Sequence, residues 1–189
     1  MEKKYNIIYA DPPWQYKAWS AKGTGRSPEQ HYNVMTKEDI QNLPVSQIAD
    51  KNAILFMWAT YPCLEEALEL IPKWGFKYKT VAFTWVKRNK KSPSWFWGLG
   101  YWTRSNPEIC LLATRGNISR VSKSVHSVVD TAIEQHSKKP EIVRDRIVEL
   151  VGDLPRIELF ARQKTEGWDV WGNEVESDIE LRSENGKEI

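Results

Sequence analysis

The chain has 189 residues, of which 41% are hydrophobic and 28% charged, a balance that fits one compact domain with a real core and excludes a disordered protein. No apolar run approaches the roughly 20 residues of a membrane span, and no apolar segment of signal-peptide length follows the N-terminus, so we expect a cytoplasmic protein without membrane contact. The formal net charge is +2, and the isolated residues Cys63 and Cys110 predict neither a disulfide framework nor a zinc site.

The first predicted element is an apolar strand, Ile7 to Ala10, that runs directly into the turn Asp11-Pro12-Pro13-Trp14. Two consecutive prolines donate no backbone hydrogen bonds and cannot continue a central strand, so the strand must end there. The Asp11 carboxylate and the nearby carbonyl groups are then acceptors on a stiff turn beside a flat aromatic ring. Such a corner suits a planar ring that carries an amino group.

A second strand and a helix are expected next. The continuous apolar run from Ala53 to Trp58 predicts a strand that is buried on both faces. Helical spacing over residues 62–74 predicts an amphipathic helix, which Pro72 should end or kink early. The apolar stripe of this helix is predicted to consist of Leu64, Ala67, Leu68 and Ile71.

Strands and helices continue to alternate along the rest of the chain. Further strands are predicted over residues 80–86, 108–114 and 156–161, and a helix over 140–151 that Gly152 closes. This alternation predicts an α/β fold with a mostly parallel, doubly wound sheet and helices on both faces. Ligands of such sheets bind beyond the carboxyl ends of the strands, where Asp11 lies.

Two long connections, over residues 15–35 and 88–104, interrupt this pattern, and loops of such length in a compact domain are usually functional or disordered. The chain carries no acidic residue between Glu69 and Glu108, and basic residues of this window alternate with aromatic ones. That composition fits phosphate attraction combined with base stacking, while a solvated charged face over a Trp-rich core is an equally weighted alternative. The residues assigned to nucleic-acid contact are Lys87, Arg88, Lys90, Lys91, Trp97 and Arg104.

The Asp-Pro-Pro-Trp turn resembles the signature of methyltransferases that act on exocyclic amino groups of nucleic-acid bases, although a tetrapeptide alone is a weak motif. The order of the other segments resembles the family named for the seventy-kilodalton MT-A subunit of the messenger-RNA adenine methyltransferase, whose bacterial and phage relatives methylate adenine in DNA. The resemblance covers nearly all of residues 5–175. Its matching segments are 6–14, 55–60, 85–87, 108–111, 115–117, 136–140, 157–162 and 172–174.

The resemblance implies a circularly permuted Rossmann-like sheet, in which the catalytic strand comes first and the cofactor-binding strand, residues 157–161, comes last. It implies S-adenosylmethionine as the cofactor, with Lys139 paired with its carboxylate and Asp11 near its amino group and the target amine. Its ribose and adenine would be held by Arg162, Thr165, Asn173 and Glu174, with Glu158 beside them. Residues 1–175 would form the catalytic domain and 176–189 a loose charged tail; no metal is expected.

The expected chemistry follows from the amino nitrogen of adenine, which is a poor nucleophile because its lone pair is delocalised into the ring. Asp11 and the Pro12 carbonyl, on a turn stiffened by Pro13, would grip the two hydrogens and favour the geometry in which the lone pair points at the methyl group. Trp14 would stack on the base, a contact worth about 1–3 kcal/mol. The target must be flipped out of a duplex or be single-stranded. Tyr32 matches the active-site loop of the family, where it would help to enclose the target, and simple loop packing is the alternative.

The leading hypothesis is a site-specific DNA adenine methyltransferase, because the compact chain carries no zinc finger or other RNA-binding extension. The same reaction on RNA adenine and a non-catalytic nucleic-acid-binding subunit are the alternatives. Non-catalytic members of the family lose the acid or the prolines of the signature, whereas here the whole turn and Lys139 are present. Relatives pair with a second subunit, so a homodimer, a second methyltransferase subunit and action alone all remain open.

Overall fold

One seven-stranded sheet organises the computed structural model, which describes residues 3–14, 35–100, 102–134 and 138–181. The strands in chain order are β1 (Tyr5–Ala10), β2 (Ala49–Ala59), β3 (Lys77–Arg88), β4 (Glu108–Arg115), β5 (Val128–Ala132), β6 (Arg156–Leu159) and β7 (Asp169–Trp171). Their order across the sheet is β5-β3-β4-β2-β1-β6-β7. Every neighbouring pair is parallel except the two pairs that contain β4, so the predicted mostly parallel sheet is confirmed.

Helices cover both faces of the sheet, as predicted. In chain order they are α1 (Lys37–Gln41), α2 (Val45–Ile48), a 3-10 turn (Tyr61–Cys63), α3 (Leu64–Lys73) and α4 (Ile142–Val151). The helices α1 to α3 pack on the face that includes Ile8 and Leu55, and α4 packs on the opposite face with Tyr9 and Phe56. None of the helices in the described part of the chain is long and apolar enough to cross a bilayer.

The order of the strands confirms the expected permuted, Rossmann-like arrangement. β1 is first in the chain but lies inside the sheet, between β2 and β6, and the strands from the end of the chain complete one edge. One detail differs from the prediction, because β7 follows β6 and the strand expected to be last is the last but one. β7 has three residues, too few to show a period of two in the sequence.

β1 positions the candidate site because it is buried on both faces and ends among other strand ends. Ile8 and Ala10 belong to one core, and Ile7 and Tyr9 belong to the other. This accounts for its continuous apolar sequence, which is typical of central parallel strands. Ala10 pairs with Met57 of β2 on one side and with Leu159 of β6 on the other, so the next residue emerges where three parallel strands finish.

The helix predicted over residues 62–74 differs from α3 in two respects. Its buried residues are Ala67, Leu70 and Ile71. Leu68, which the prediction placed on the apolar stripe, is 38% exposed because the buried face is rotated toward Leu70. The helix also continues through Pro72 to Lys73 instead of ending early. A proline in the last turn removes a single hydrogen bond, and the Trp74 N–H still bonds to the Leu70 carbonyl at 3.1 Å.

The segment 176–181, expected to be part of a loose tail, lies against the edge strand β7. The Asp178 carboxylate accepts the Val170 N–H at 2.8 Å, and the Asp178 N–H bonds to the Val170 carbonyl at 2.8 Å. Leu181 is 4% exposed and belongs to the core. Apolar side chains at 179 and 181 give this otherwise charged segment something to bury, while the predicted tail residues 182–189 lie outside the described part of the chain.

Candidate active site

Asp11 is the first residue after β1, and the turn that follows is tied to the end of β2. The Trp14 N–H donates to the Pro12 carbonyl at 2.8 Å, and the Trp14 indole N–H donates to the Trp58 carbonyl at 3.0 Å. Trp14 is 7% exposed and part of the core, so a base can reach only a small part of its ring. Its stacking on the target base therefore stays a prediction, while the stiffness expected of the turn has a visible cause in these hydrogen bonds.

Four side chains of alternating charge form a row beside this turn, which we call the ion-pair chain: Asp11, Lys139, Glu108 and Lys87. The Lys139 ammonium lies 2.7 Å from Asp11 Oδ2 and 3.2 Å from Glu108 Oε2. The other carboxylate oxygen of Glu108, Oε1, lies 2.5 Å from the Lys87 ammonium. The topology brings them together, because β1 and β3 end at the edge of the sheet where the antiparallel strand β4 begins.

The charges of this row act differently on its two carboxyl groups. Burial raises the pKa of Asp11, and the adjacent Lys139 ammonium opposes that rise. Burial also disfavours the charged form of Glu108, but Lys139 and Lys87 outweigh it and lower the pKa of that carboxyl to about 2. Burial alone would lower the pKa of Lys139, yet the two carboxylates hold it above its ordinary value. Glu108 and Lys139 are therefore ionised at neutral pH.

Aromatic rings lie next to both lysines of the ion-pair chain. The Lys139 ammonium is 5.6 Å from the centroid of the Trp58 ring, and the Lys87 ammonium is 4.9 Å from that of Trp85. The two indoles meet edge to face at 6.4 Å, and the Trp58 N–H donates to the Tyr9 hydroxyl at 2.6 Å. The aromatic faces attract the ammonium groups and exclude water from one side of them. The expectation that Trp58 is a core residue is confirmed, since it is fully buried.

The ends of β6 and β7 carry most of the other predicted cofactor ligands. Arg162 and Glu174 form an ion pair at 3.7 Å, Asn173 is exposed, and the Thr165 hydroxyl is buried without a hydrogen-bond partner among the described residues. Glycine at position 172 lets the segment after β7 approach the segment after β6 closely, because a Cβ atom at this position would lie 2.2 Å from the Ala161 carbonyl oxygen.

Glu158, also predicted beside the cofactor, lies in β6 with its side chain 10% exposed. Its two carboxylate oxygens accept hydrogen bonds from the Arg144 guanidinium at 2.7 and 2.7 Å. Arg144 belongs to the first turn of α4, so the pair fastens that helix to the strand next to β1. Contact of Glu158 with the cofactor stays a prediction.

The donor set at this edge fits S-adenosylmethionine, which carries a carboxylate, an ammonium group, a charged sulfur and ribose hydroxyls. Lys139 and Arg162 are cations suited to the carboxylate, and Asp11 is an acceptor suited to the ammonium group. The Thr165 hydroxyl and the Glu174 carboxylate are hydrogen-bonding groups suited to the ribose. Among the described residues, no three side chains of His, Cys, Asp or Glu lie together in a way that could hold a metal ion.

Two of the residues predicted to contact nucleic acid form ion pairs within the protein, and four others are exposed to solvent. Lys87 is held by Glu108, and the Arg88 guanidinium pairs with Asp130 at 2.7 Å and lies 3.5 Å from the centroid of the Trp95 ring. The exposed ones, which form no ion pair within the described residues, are Lys90, Lys91 and Arg104, and Trp97 is 62% exposed. Tyr32 lies outside the described part of the chain.

Sequence reasoning did not identify Glu108 or Arg144 as site residues. Glu108 opens a strand that is otherwise apolar over 109–113, and an acid at that position was the available signal. Arg144 lies on the buried side of α4, and a buried arginine is almost always paired with an acidic group. Nothing local in the sequence indicated that Glu158 would be that partner.

An open, mostly parallel sheet whose charged side chains meet beyond the ends of its strands defines an α/β enzyme of the Rossmann-like class, with its ligand site at that edge. The chain belongs to the MT-A70 family, whose model matches residues 5–174. The expected S-adenosylmethionine-dependent methyltransferase acting on the 6-amino group of adenine is confirmed at the level of this family.

Relatives from bacteria, animals and plants share this similarity. The chain is 36% identical over 190 residues to the type II methyltransferase M.MunI of Mycoplasma sp, a match that covers 92% of this chain and 78% of that protein. It is 25% identical over 177 residues to the human N(6)-adenosine-methyltransferase catalytic subunit METTL3, of which it covers 28%. It is also 25% identical over 175 residues to an MT-A70-like N(6)-adenosine-methyltransferase of Arabidopsis thaliana, of which it covers 24%.

Proposed function

We propose that this chain is a site-specific DNA methyltransferase that transfers a methyl group from S-adenosylmethionine to the 6-amino group of adenine. The observation that carries the proposal is Asp11, presented on the stiff turn at the ligand edge of the sheet and bonded to Lys139 at 2.7 Å. The intact turn and Lys139 also favour an enzyme over a non-catalytic subunit.

The choice of DNA is supported by two likenesses. The chain is 36% identical to M.MunI, a type II methyltransferase, and 25% identical to the adenosine methyltransferases of human and Arabidopsis. Its motifs also resemble those of the bacterial and phage members of the family, which methylate adenine in DNA. Methylation of RNA adenine is the second candidate, and the similarity to METTL3 favours it.

In the proposed mechanism, the protein grips the hydrogens of the target amine. Lys139 holds Asp11 Oδ2, and we assign the second carboxylate oxygen, Oδ1, and the Pro12 carbonyl to the two N–H groups of adenine. When bound, S-adenosylmethionine would supply the electrophilic methyl group, whose bond to the sulfonium sulfur breaks and leaves a neutral thioether. As the nitrogen gains its new bond it loses one proton, which Asp11 accepts and passes to water, and the raised pKa of Asp11 favours this role.

The proposed cofactor ligands are Lys139, Arg162, Thr165, Asn173 and Glu174, with Glu158 behind them. These assignments are supported by the positions of the residues in the sheet. Asp11 follows β1, and residues 160–165 and 172–174 follow β6 and β7, the next two parallel strands. The proposed nucleic-acid surface is the connection between β3 and β4, where Lys90, Lys91, Trp97 and Arg104 are exposed. Lys87 and Arg88 already have carboxylate partners, so phosphate contact rests mainly on the other three cations.

The test supplies the purified protein with methyl-labelled S-adenosylmethionine and matched deoxyribo- and ribo-oligonucleotides, followed by nucleoside analysis. The expected product is N6-methyl-2′-deoxyadenosine from the deoxyribo-oligonucleotide. Label in the ribo-oligonucleotide alone would establish the second candidate. No transfer to either, with nucleic acid still bound, would favour the non-catalytic subunit and sink the proposal.

A further inference from the structure

The side chain of Lys87 is too buried, and its ammonium too closely paired, for a residue that binds phosphates from solvent. Its side chain is 15% exposed, its ammonium lies 2.5 Å from Glu108 Oε1, and the ring centroid of Trp85 is 4.9 Å away. A phosphate contact would require this ammonium to leave a buried carboxylate. Removal of one partner from a buried charge pair is strongly unfavourable, because the other charge stays behind without compensation.

The backbone of Lys87 is also held in place. Asn106, which is 6% exposed, accepts the Lys87 N–H and donates to the Lys87 carbonyl, each at 2.9 Å. The same amide group donates to the Phe96 carbonyl at 2.5 Å, and the Phe96 N–H bonds back to the Lys87 carbonyl at 2.9 Å. The backbone position from which the Lys87 side chain extends toward Glu108 is therefore fixed by the fold.

The charges of the ion-pair chain explain why a lysine is needed there. Without Lys87, Asp11 and Glu108 would share the single ammonium of Lys139, and a buried negative charge would remain. Glu108 would then compete with Asp11 for Lys139, from which the two carboxylates lie 3.2 and 2.7 Å away. With Lys87 present, each oxygen of Glu108 has its own cation, and Lys139 stays nearer to Asp11.

We propose that Lys87 is a positioning residue of the methyl transfer: through Glu108 it sets the place of Lys139 and thereby the orientation of Asp11, and it touches no phosphate. The inference rests on the proposed function, since it concerns the same reaction. Lys87 lies one carboxylate away from Lys139, and three successive ion pairs connect it to Asp11, the residue proposed to meet the reacting amine, so it acts through its neighbours.

The experiment compares Lys87→Met, Lys87→Arg and a control, Lys79→Met, which alters an exposed lysine near the other end of β3. For Lys87→Met we expect kcat with saturating DNA and cofactor to fall at least tenfold, with little change in KM for DNA. The salt dependence of DNA affinity should match that of the wild type, since Lys87 neutralises no phosphate. Lys87→Arg keeps the charge and should restore most of kcat, and the control should behave like the wild type.

The pH profile is a second readout. The charged and titratable groups around Asp11 are Lys139, Glu108, Arg162 and the buried Cys110 thiol. Loss of the Lys87 charge leaves both carboxyl groups with less positive potential, so the acidic limb of the kcat profile should move to higher pH in Lys87→Met and return in Lys87→Arg.

The opposite results would overturn the inference. A salt slope reduced by roughly one with unchanged kcat would make Lys87 a phosphate ligand. If Lys87→Met does not fold, the double variant Lys87→Met/Glu108→Gln, which leaves no uncompensated carboxylate, is measured instead. A wild-type salt slope in that variant supports the inference, and a slope reduced by one overturns it. A wild-type protein without methyl transfer would overturn the proposed function itself, whereas equal kcat in wild type and Lys87→Met would overturn only this inference.

Discussion

At the residue scale, the site depends on how Asp11 and Glu108 share the ammonium of Lys139. Glu108 has a lysine on each oxygen, and the pKa of its carboxyl is lowered to about 2, so it serves as a permanent negative charge. Asp11 has one lysine, is 25% exposed at its side chain, and has a raised pKa. The more accessible and more basic of the two carboxylates is thus the one that follows β1, which suits contact with a substrate and acceptance of a proton.

The Asp11→Asn variant should lose about 10²–10³-fold in kcat, because the amide presents one acceptor oxygen and places a donor beside the target amine. Its melting temperature should stay close to that of the wild type, because the side chains have the same shape and the raised pKa of Asp11 means that its ionised form adds no net stability to the fold. Rates of methyl transfer and thermal unfolding curves measure both, with the exposed Asp145→Asn as the matched control. Near-normal transfer by Asp11→Asn would remove Asp11 from the mechanism.

The lowered pKa of Glu108 makes a prediction about stability in acid. Because the folded-state value of about 2 lies below the ordinary value of 4.5, ionised Glu108 stabilises the fold above pH 4.5, and that contribution is lost as the pH falls toward 2. The raised pKa of Asp11 acts with the opposite sign. Between about pH 5 and about pH 3, the free energy of unfolding should fall by about 1–2 kcal/mol less in Glu108→Gln than in the wild type. Urea titrations at both pH values measure the free energy of unfolding of each protein. An equal loss between the two pH values in Glu108→Gln and in the wild type would contradict the prediction.

At the element scale, the site arises where strand ends meet, and two features of the fold bring its parts together. The antiparallel strand β4 begins beside the end of β3, which puts Glu108 next to Lys87. The helix α4 follows Lys139 by three residues, and its first turn carries Arg144 to the buried carboxylate of Glu158. The ion pair between α4 and β6 therefore holds the start of this helix, and with it the segment of Lys139.

Removal of Arg144 should be costly, because it leaves the Glu158 carboxylate buried without a cation. We expect Arg144→Met to lower the free energy of unfolding by about 3–5 kcal/mol. The double variant Arg144→Met/Glu158→Leu should recover much of that loss, since apolar side chains can replace a buried ion pair at little cost. Denaturant unfolding of the two variants and of Glu158→Leu forms the comparison. A double variant as unstable as the sum of the single ones would mean that the two residues do not act as a pair.

At the scale of the whole molecule, charge and exposed aromatic area coincide on the connection between β3 and β4. Trp97 is 62% and Trp102 is 91% exposed, on the same connection as the exposed cations Lys90, Lys91 and Arg104. Aromatic side chains such as Trp are enriched at interaction surfaces relative to the rest of a protein's surface. Combined with positive charge, they suit a single strand or a duplex near a flipped base.

The salt dependence of DNA affinity should separate the cations that bind phosphates from the rings that stack on bases. Where Lys90→Ala, Lys91→Ala or Arg104→Ala removes a cation from a phosphate, the slope of log affinity against log salt should fall by roughly one. Trp97→Ala should weaken binding by about 1–3 kcal/mol with an unchanged slope, because the charge of the protein stays the same. Lys51→Ala is the control, as it lies near the beginning of β2, away from the strand ends that form the site. Unchanged affinity and slope in all basic variants would show that this surface is only solvated.

Local features of this protein could be predicted from its sequence because their causes are local. An apolar run that meets two prolines must end a strand, so β1 and its turn followed directly from residues 7–14. The helix α4 followed from its period and from Gly152, which has a φ of 93°. The short elements α1, α2, β5 and β7 did not follow, because three to five residues are too few to show a period.

What the sequence by itself determined is therefore the α/β class, the place of Asp11 at a strand end and the family to which these motifs belong. Only the tertiary structure decided which charges meet. Asp11 and Lys139 are 128 positions apart in the chain, and Lys87 and Glu108 face each other because β4 runs antiparallel to β3. The sequence shows that a lysine is present but not whether it reaches water, a phosphate or a buried carboxylate. That choice depends on strand order and burial, because desolvation makes an unpaired buried charge too costly and so selects the partners.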